Sequence, residues 1–176
     1  MQRTWFIAAV LAGLIGLGGF AGCKKPAPAP QPPLTLDDVL PKNAQPKLPT
    51  LKIYLGAEAL DAELAHTREQ VMAGMMYRTN ITETDAMLFV LSAPQRASFW
   101  MKNCPESLSA AYITPDGVIA EIVKLEANNT NSVVAASDNI QYVLEVKEGW
   151  FARHKIAPGA VIRTDRGSLA ETFFRR

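Results

Sequence analysis

The chain is poor in cysteine, which staples small exported proteins, and in histidine, which with cysteine ligates zinc-class metals. Among its 176 residues there are two cysteines and two histidines. At most one disulfide could form, which excludes a cystine-framed fold and leaves stability to an apolar core. Charge of one sign is lacking too: 18 basic side chains face 17 acidic ones. Without a basic excess, nothing drives nucleic-acid binding, and none is expected. No Gly-rich phosphate loop, Ser-His-Asp order or two-histidine metal motif occurs. The carboxylates are scattered, with no pair set out for glycoside cleavage. Internal repeats are absent.

One long hydrophobic run is present. Arg3 precedes an apolar stretch from Trp5 to Phe20, and Ala21-Gly22 then stand before Cys23. A positive end, an apolar middle and a small-residue cut site make a bacterial secretory signal. The cysteine at the cut makes it similar to a lipoprotein signal, in which the thiol receives a diacylglycerol and the new amine is acylated with a palmitate-type chain. Residues 4–20 are short for a hydrocarbon core of about 30 Å, and Gly13, Gly16, Gly18 and Gly19 weaken a spanning helix. Residues 1–22 therefore read as a removable signal peptide and Cys23 as the lipidation site. Two or three acyl chains anchor stably where one is marginal. Lys24, with no acidic residue beside it, resembles the sorting pattern for the outer membrane, facing the periplasm in a host with two membranes. Arg3 is the only charge removed, so the mature chain carries equal numbers of acidic and basic side chains.

Eight of the twelve prolines fall between residues 24 and 50. Proline fixes φ and removes an amide donor, so residues 23–50 read as a lipidated cysteine followed by a stiff tether. Thr35-Leu36-Asp37-Asp38 can cap one helical turn before Pro41. The remaining domain, residues 51–166, is long enough for one core and not for two. Residues 167–176 form either a docked terminal turn or a loose tail.

Alternation predicts strands at 51–55 and 59–65. Thr67 with Gln70 forms a capping-box signature for a helix over 68–76, with Gly74 marking a close contact or an early end. Further strands are expected at 87–90, 98–102 and 140–147. Segments 108–114 and 118–125 flank Pro115-Asp116-Gly117, a hairpin turn that supplies positive φ. A short turn or helix follows at 149–154, and a strand at 161–163. Short strands with one or two short helices predict a mainly β, compact, barrel-like single domain of antiparallel strands.

The strings Gly74-Met75-Met76-Tyr77-Arg78, Met87-Leu88-Phe89-Val90, Phe99-Trp100-Met101-Lys102-Asn103, Asp116-Gly117, Val143-Leu144-Glu145 and Pro158-Gly159 follow one another in a recognisable order. This order resembles the bacterial and archaeal domain-of-unknown-function family numbered 192, whose members are often exported. The resemblance implies a compact, mainly β domain and supplies no accepted activity. Three positions depart from the family pattern. Cys104 stands where threonine is usual, while Ser109 and Ala160 stand where aspartate is usual.

Several residues are candidates for function. Arg78, Trp100, Lys102, Asn103 and Glu145 could grip a small anionic or sugar-like ligand in a cleft. The competing reading is a buried Glu145–Arg78 or Glu145–Lys102 pair that only holds the fold. Cys104 beside Lys102 could be an activated nucleophile, although neither His66 nor His154 is near it in sequence. Met75, Met76, Met101 and Cys104 could together hold a soft metal such as copper, although methionine spaced like Met72, Met75 and Met76 on a helix also fills cores. No cofactor is implied. The sequence thus leads to a lipid-anchored, extracytoplasmic protein whose partners are the membrane and a small molecule or envelope protein. It is read as a binding domain rather than an enzyme, with catalysis or copper binding as the alternative.

Overall fold

A computed structural model describes residues 33–174. The segment expected to be a signal peptide, Cys23 and the start of the expected tether lie outside the described residues, as do the last two positions. Among the described residues no helix is long and apolar enough to cross a membrane. The elements in chain order are α1 (Leu36–Val39), β1 (Thr50–Leu55), β2 (Glu58–Ala65), α2 (Arg68–Ala73), β3 (Ala86–Gln95) and β4 (Ser98–Phe99). They continue with β5 (Leu108–Ile113), β6 (Ile119–Leu125), β7 (Val133–Val134), β8 (Ile140–Lys147), α3 (Trp150–Arg153), β9 (Ile162–Thr164), β10 (Gly167–Ser168) and α4 (Leu169–Phe174).

Eight strands form one curled half-barrel sheet in the order β10-β9-β1-β2-β3-β8-β5-β6, and β4 pairs with β7 apart from it. The fold is mainly β, as the alternating pattern predicts, but not wholly antiparallel. β2 and β3 run parallel, with Glu63 opposite Met87 and Ala65 opposite Phe89. A parallel pair needs a crossover, and residues 66–85 with α2 supply it. A bridge between Val118 and Val161 brings the start of β6 toward the start of β9. Among the described residues there are four short helices, against the one or two expected.

Alternation places the side chains of β5 and β8 into two separate cores. Leu88, Ala111, Ile113, Leu144 and Val146 face one cluster, which Trp150, Phe151 and Leu169 cover. Met87, Phe89, Ala110, Tyr112 and Val143 face the other, which Leu40, Met75, Met76, Met101 and Cys104 cover. Both faces of the central strands are therefore buried, which explains their near-continuous apolar composition. Leu169 is fully buried, so the C-terminal segment is a docked helix and not a loose tail.

Residues 35–49, read from the sequence as tether, lie against the domain. The compact unit begins at Thr35. Asp38 accepts the Thr35 amide at 2.8 Å and its hydroxyl at 2.6 Å, capping α1. Leu40 is buried, the Gln45 amide donates to the Gly74 carbonyl at 2.9 Å, and the Leu48 amide donates to Glu63 at 2.7 Å. Proline excludes sheet and long helix here but not packing of side chains.

Candidate functional site

Two segments of the family-like strings meet over Glu145. The first is α2 and the turn after it. Thr67 accepts the Gln70 amide at 3.3 Å, and Gln70 returns the contact to the Thr67 amide at 3.1 Å. This box starts the helix, which stops at Ala73 rather than at the expected residue 76. Gly74 has φ +44 and ψ −131, a conformation open to glycine and costly for other residues. A Cβ there would stand 3.4 Å from the Phe89 ring, so the missing side chain also permits close approach. Met75 and Met76 then turn inward.

The second segment is the loop after β4. A strand was expected over 98–102, but pairing ends at Phe99. Asn103 takes φ +61, a conformation asparagine adopts more readily than most residues. The Cys104 amide donates to Met101, closing a tight turn. The Tyr77 amide, itself at φ +60, donates to the Asn103 carbonyl at 2.7 Å. That bond clasps the two segments together.

Between them is a cleft of about 30 Å³, room for one or two water-sized groups. Glu145, Cys104, Trp100, Phe99, Phe89 and the Met72–Met76 segment line it. Glu145 lies in mid-strand, opposite Ala110 and Met87, on the same face as Val143. It is 4% exposed. Among the described residues it has no hydrogen-bond or ion-pair partner. Burial pushes its carboxyl up to about 8. A neutral carboxylic acid is therefore favoured at pH 7.

Neither expected partner reaches Glu145. Arg78 forms a two-pronged pair with Glu63, at 2.5 and 2.8 Å, with both side chains largely buried. Burial works to raise the Glu63 pKa, but the Arg78 hydrogen bonds, the Leu48 amide and nearby positive charge outweigh it and hold the carboxyl below its usual range. Lys102 bonds Asp37 of α1 and stands 5.7 Å from the Trp100 ring centroid. The structural-pair reading thus applies to Arg78 with Glu63, and not to Glu145.

Of the five candidate ligand-binding residues, Trp100 and Glu145 share the cleft. Lys102 sits beside Trp100, Asn103 shapes the loop, and Arg78 is committed elsewhere. Met75, Met76 and Cys104 line the cleft, and Met101 is buried without lining it. Burial, and then the Glu145 charge, push the Cys104 thiol up to about 12, the reverse of activation by Lys102. His66 and His154 are absent from the lining; His154 stacks on Trp150 at 4.2 Å. Ser109 points to the face opposite Glu145 and accepts the Gly149 amide at 2.9 Å. An aspartate at that position would not enter this cleft. Sequence reasoning did not assign Phe89, Phe99 or Gly74 to the site, because nothing in their spacing links segments that the crossover brings together. Among the described residues no three His, Cys, Asp or Glu side chains group as a metal site.

Comparison with known proteins agrees with this architecture. The sequence model of the DUF192 family, described as Uncharacterized ACR, matches residues 51–164. Two solved structures are similar. One is a candidate transcription regulator from Sinorhizobium meliloti 1021, at 25% identity and TM-score 0.64, covering 68% of this chain and 97% of that one. The other is a protein of unknown function from Novosphingobium aromaticivorans DSM 12444, at 24% identity and TM-score 0.63, covering 76% and 99%. No curated protein matches the chain.

Proposed function

This chain belongs to the DUF192 family, and we propose that it is a lipid-anchored, extracytoplasmic binding domain that receives a small group of its ligand or partner in the cleft over Glu145. The observation that carries this reading is the Glu145 carboxyl, on a residue 4% exposed, which borders the cleft and has no hydrogen-bond or ion-pair partner among the described residues. A polar group out of water costs free energy unless it is hydrogen-bonded, so buried groups almost always are. A carboxyl left open at the floor of a cleft between aromatic walls is a common sign of a site awaiting its ligand.

A binding role fits better than catalysis. The thiol in the cleft is held protonated, and no histidine lines the space to act as its base. The regulator name carried by the Sinorhizobium protein is not adopted, because this chain has no basic excess to hold nucleic acid. Anchoring rests on the signal pattern ending at Cys23. Lys24 favours the outer membrane of a two-membrane host.

Two measurements test the reading. Cys23→Ser in the native host moves the protein from the membrane to the soluble fraction; unchanged membrane retention contradicts the anchor. For the cleft, the mature chain in detergent micelles is titrated with methylammonium, acetamide and glucose while amide and indole NMR signals are followed. Saturable shifts at the Trp100 indole and the Gly74–Met76 amides are expected with at least one probe. No saturable shift there contradicts the cleft as a binding site.

A further inference from the structure

The walls of the cleft are rich in sulfur. Met72, Met75, Met76 and Cys104 all line the space of about 30 Å³ that Glu145 floors. The methionines come from α2 and its terminal turn, and Cys104 comes from the facing loop. The bond from the Tyr77 amide to the Asn103 carbonyl fixes the two sides at a set separation. Methionine fills core gaps because it is flexible, and Met101 does that here, buried and away from the cleft. Met75, Met76 and Cys104 belong to the same buried core as Met101, but unlike Met101 they also line the cleft, with Met72 beside them. The unpartnered carboxyl, 4% exposed, is the independent sign that something polar belongs there.

We propose that this cleft is a site for one soft monovalent cation of the Cu(I) class, held by the sulfurs of Met75, Met76 and Cys104 beside the Glu145 carboxyl. The inference rests on the cleft being a binding site and names what it takes. Thioether and thiol donors select Cu(I), whereas Zn2+ prefers thiolate and imidazole, and Mg2+ or Ca2+ need oxygen. The step balances without redox chemistry. Copper arrives as Cu(I) on a carrier ligand and stays Cu(I). The S–H bond of Cys104 breaks, a Cu–S bond forms, and one proton leaves to solvent. Exchanging a proton for a monovalent cation leaves the charge of the cleft unchanged, so no new buried charge is created. Glu145 supplies the polar contact that the apolar walls lack. Met72, half-buried, lines both this cleft and the groove beside Pro41 and Gln45.

The test is anaerobic Cu(I) titration of the mature full chain in detergent, against a chromogenic Cu(I) chelator, with X-ray absorption on the loaded protein. Cys104→Ser and Met76→Leu are compared with the parent, so any metal taken elsewhere on the chain cancels. Met101→Leu is the control. The proposal predicts one equivalent bound through sulfur, an affinity lowered at least tenfold by each of the first two variants, and no change with the control. Met76→Leu conserves volume, so it reports on binding even where Cys104→Ser folds poorly. Absence of uptake, uptake indifferent to both site variants, or equal weakening by Met101→Leu overturns the proposal. If copper fails while an organic probe still shifts the Trp100 and Gly74–Met76 signals, the metal inference falls and the binding reading stands. If both fail, both fall.

Discussion

Burial works to raise the pKa of both Glu145 and Glu63, and the two end on opposite sides of the usual range according to whether a cation is present. The Glu145 pKa is raised, so the folded state holds its proton more tightly than the unfolded chain does. Its contribution to stability is fully present below about pH 4.5 and declines as pH rises toward 8, by up to about 1.4 kcal/mol per pH unit. Glu145→Gln is therefore expected to flatten the fall in stability between pH 5 and 8, as read by urea unfolding at several pH values. A slope equal to the parent's contradicts a raised pKa. The Glu63 pKa is lowered, so its contribution is present above the unfolded pKa and lost as pH falls through the folded one. Arg78→Ala leaves Glu63 buried and unpaired, and its expected cost is about 3–5 kcal/mol of stability, with little change in the cleft's probe affinity. A lost affinity at full stability would return Arg78 to the site. The residue types were legible in the sequence: a mid-strand glutamate among Val143, Leu144 and Val146 must find a cation or form a site. That neither Arg78 nor Lys102 reaches it was not legible, because their partners, Glu63 and Asp37, are set by how the crossover and the N-terminal segment fold back.

Local chemistry set the elements that local chemistry can set. The Thr67–Gln70 box opens α2, the Asp116-Gly117 turn joins β5 to β6, and alternation gives β1, β2 and β8 near their expected bounds. The misreadings are where tertiary contacts override propensity. Trp100 to Asn103 has strand-like composition, yet it leaves the sheet because Asn103 turns left-handed and is clasped by Tyr77. Similarly, Gly74 ends α2 early so that Met75 and Met76 can turn onto the Glu145 face. Gly74→Ala is expected to cost about 1–3 kcal/mol through its backbone conformation and to disturb the cleft through the Phe89 contact. Thermal unfolding together with the Trp100 indole shift measures both effects. An unchanged melting temperature would contradict the strained turn.

The folded unit from Thr35 is built on one curled eight-stranded sheet with a core on each face, and its first residues join the second core through Leu40. Thr35 is twelve positions after Cys23, so the segment joining the proposed lipidation site to the folded unit is shorter than proline content alone suggests. Composition could not show this, since Leu40 stands in a proline-rich run and the core it joins is built by residues far along the chain, such as Met75, Met76 and Val143. Leu40→Ala is expected to cost about 2–5 kcal/mol, and protease sensitivity between residues 35 and 49 should rise with it. Loss of neither would mean that the segment rests on the domain without supporting it. The bonds from Lys102 to Asp37 and from Gln45 to Gly74 connect this segment to both walls of the cleft.

The claim on which the account turns is that Glu145 stands alone at the floor of the cleft. Carbon-13 NMR of its side-chain carboxyl, followed with pH in the ligand-free protein, tests it most directly. The account predicts a carboxyl that stays protonated through neutral pH and titrates near 8. A midpoint in the ordinary carboxylate range, about 4–5, would mean that a cation or solvent already satisfies it, and would contradict the account.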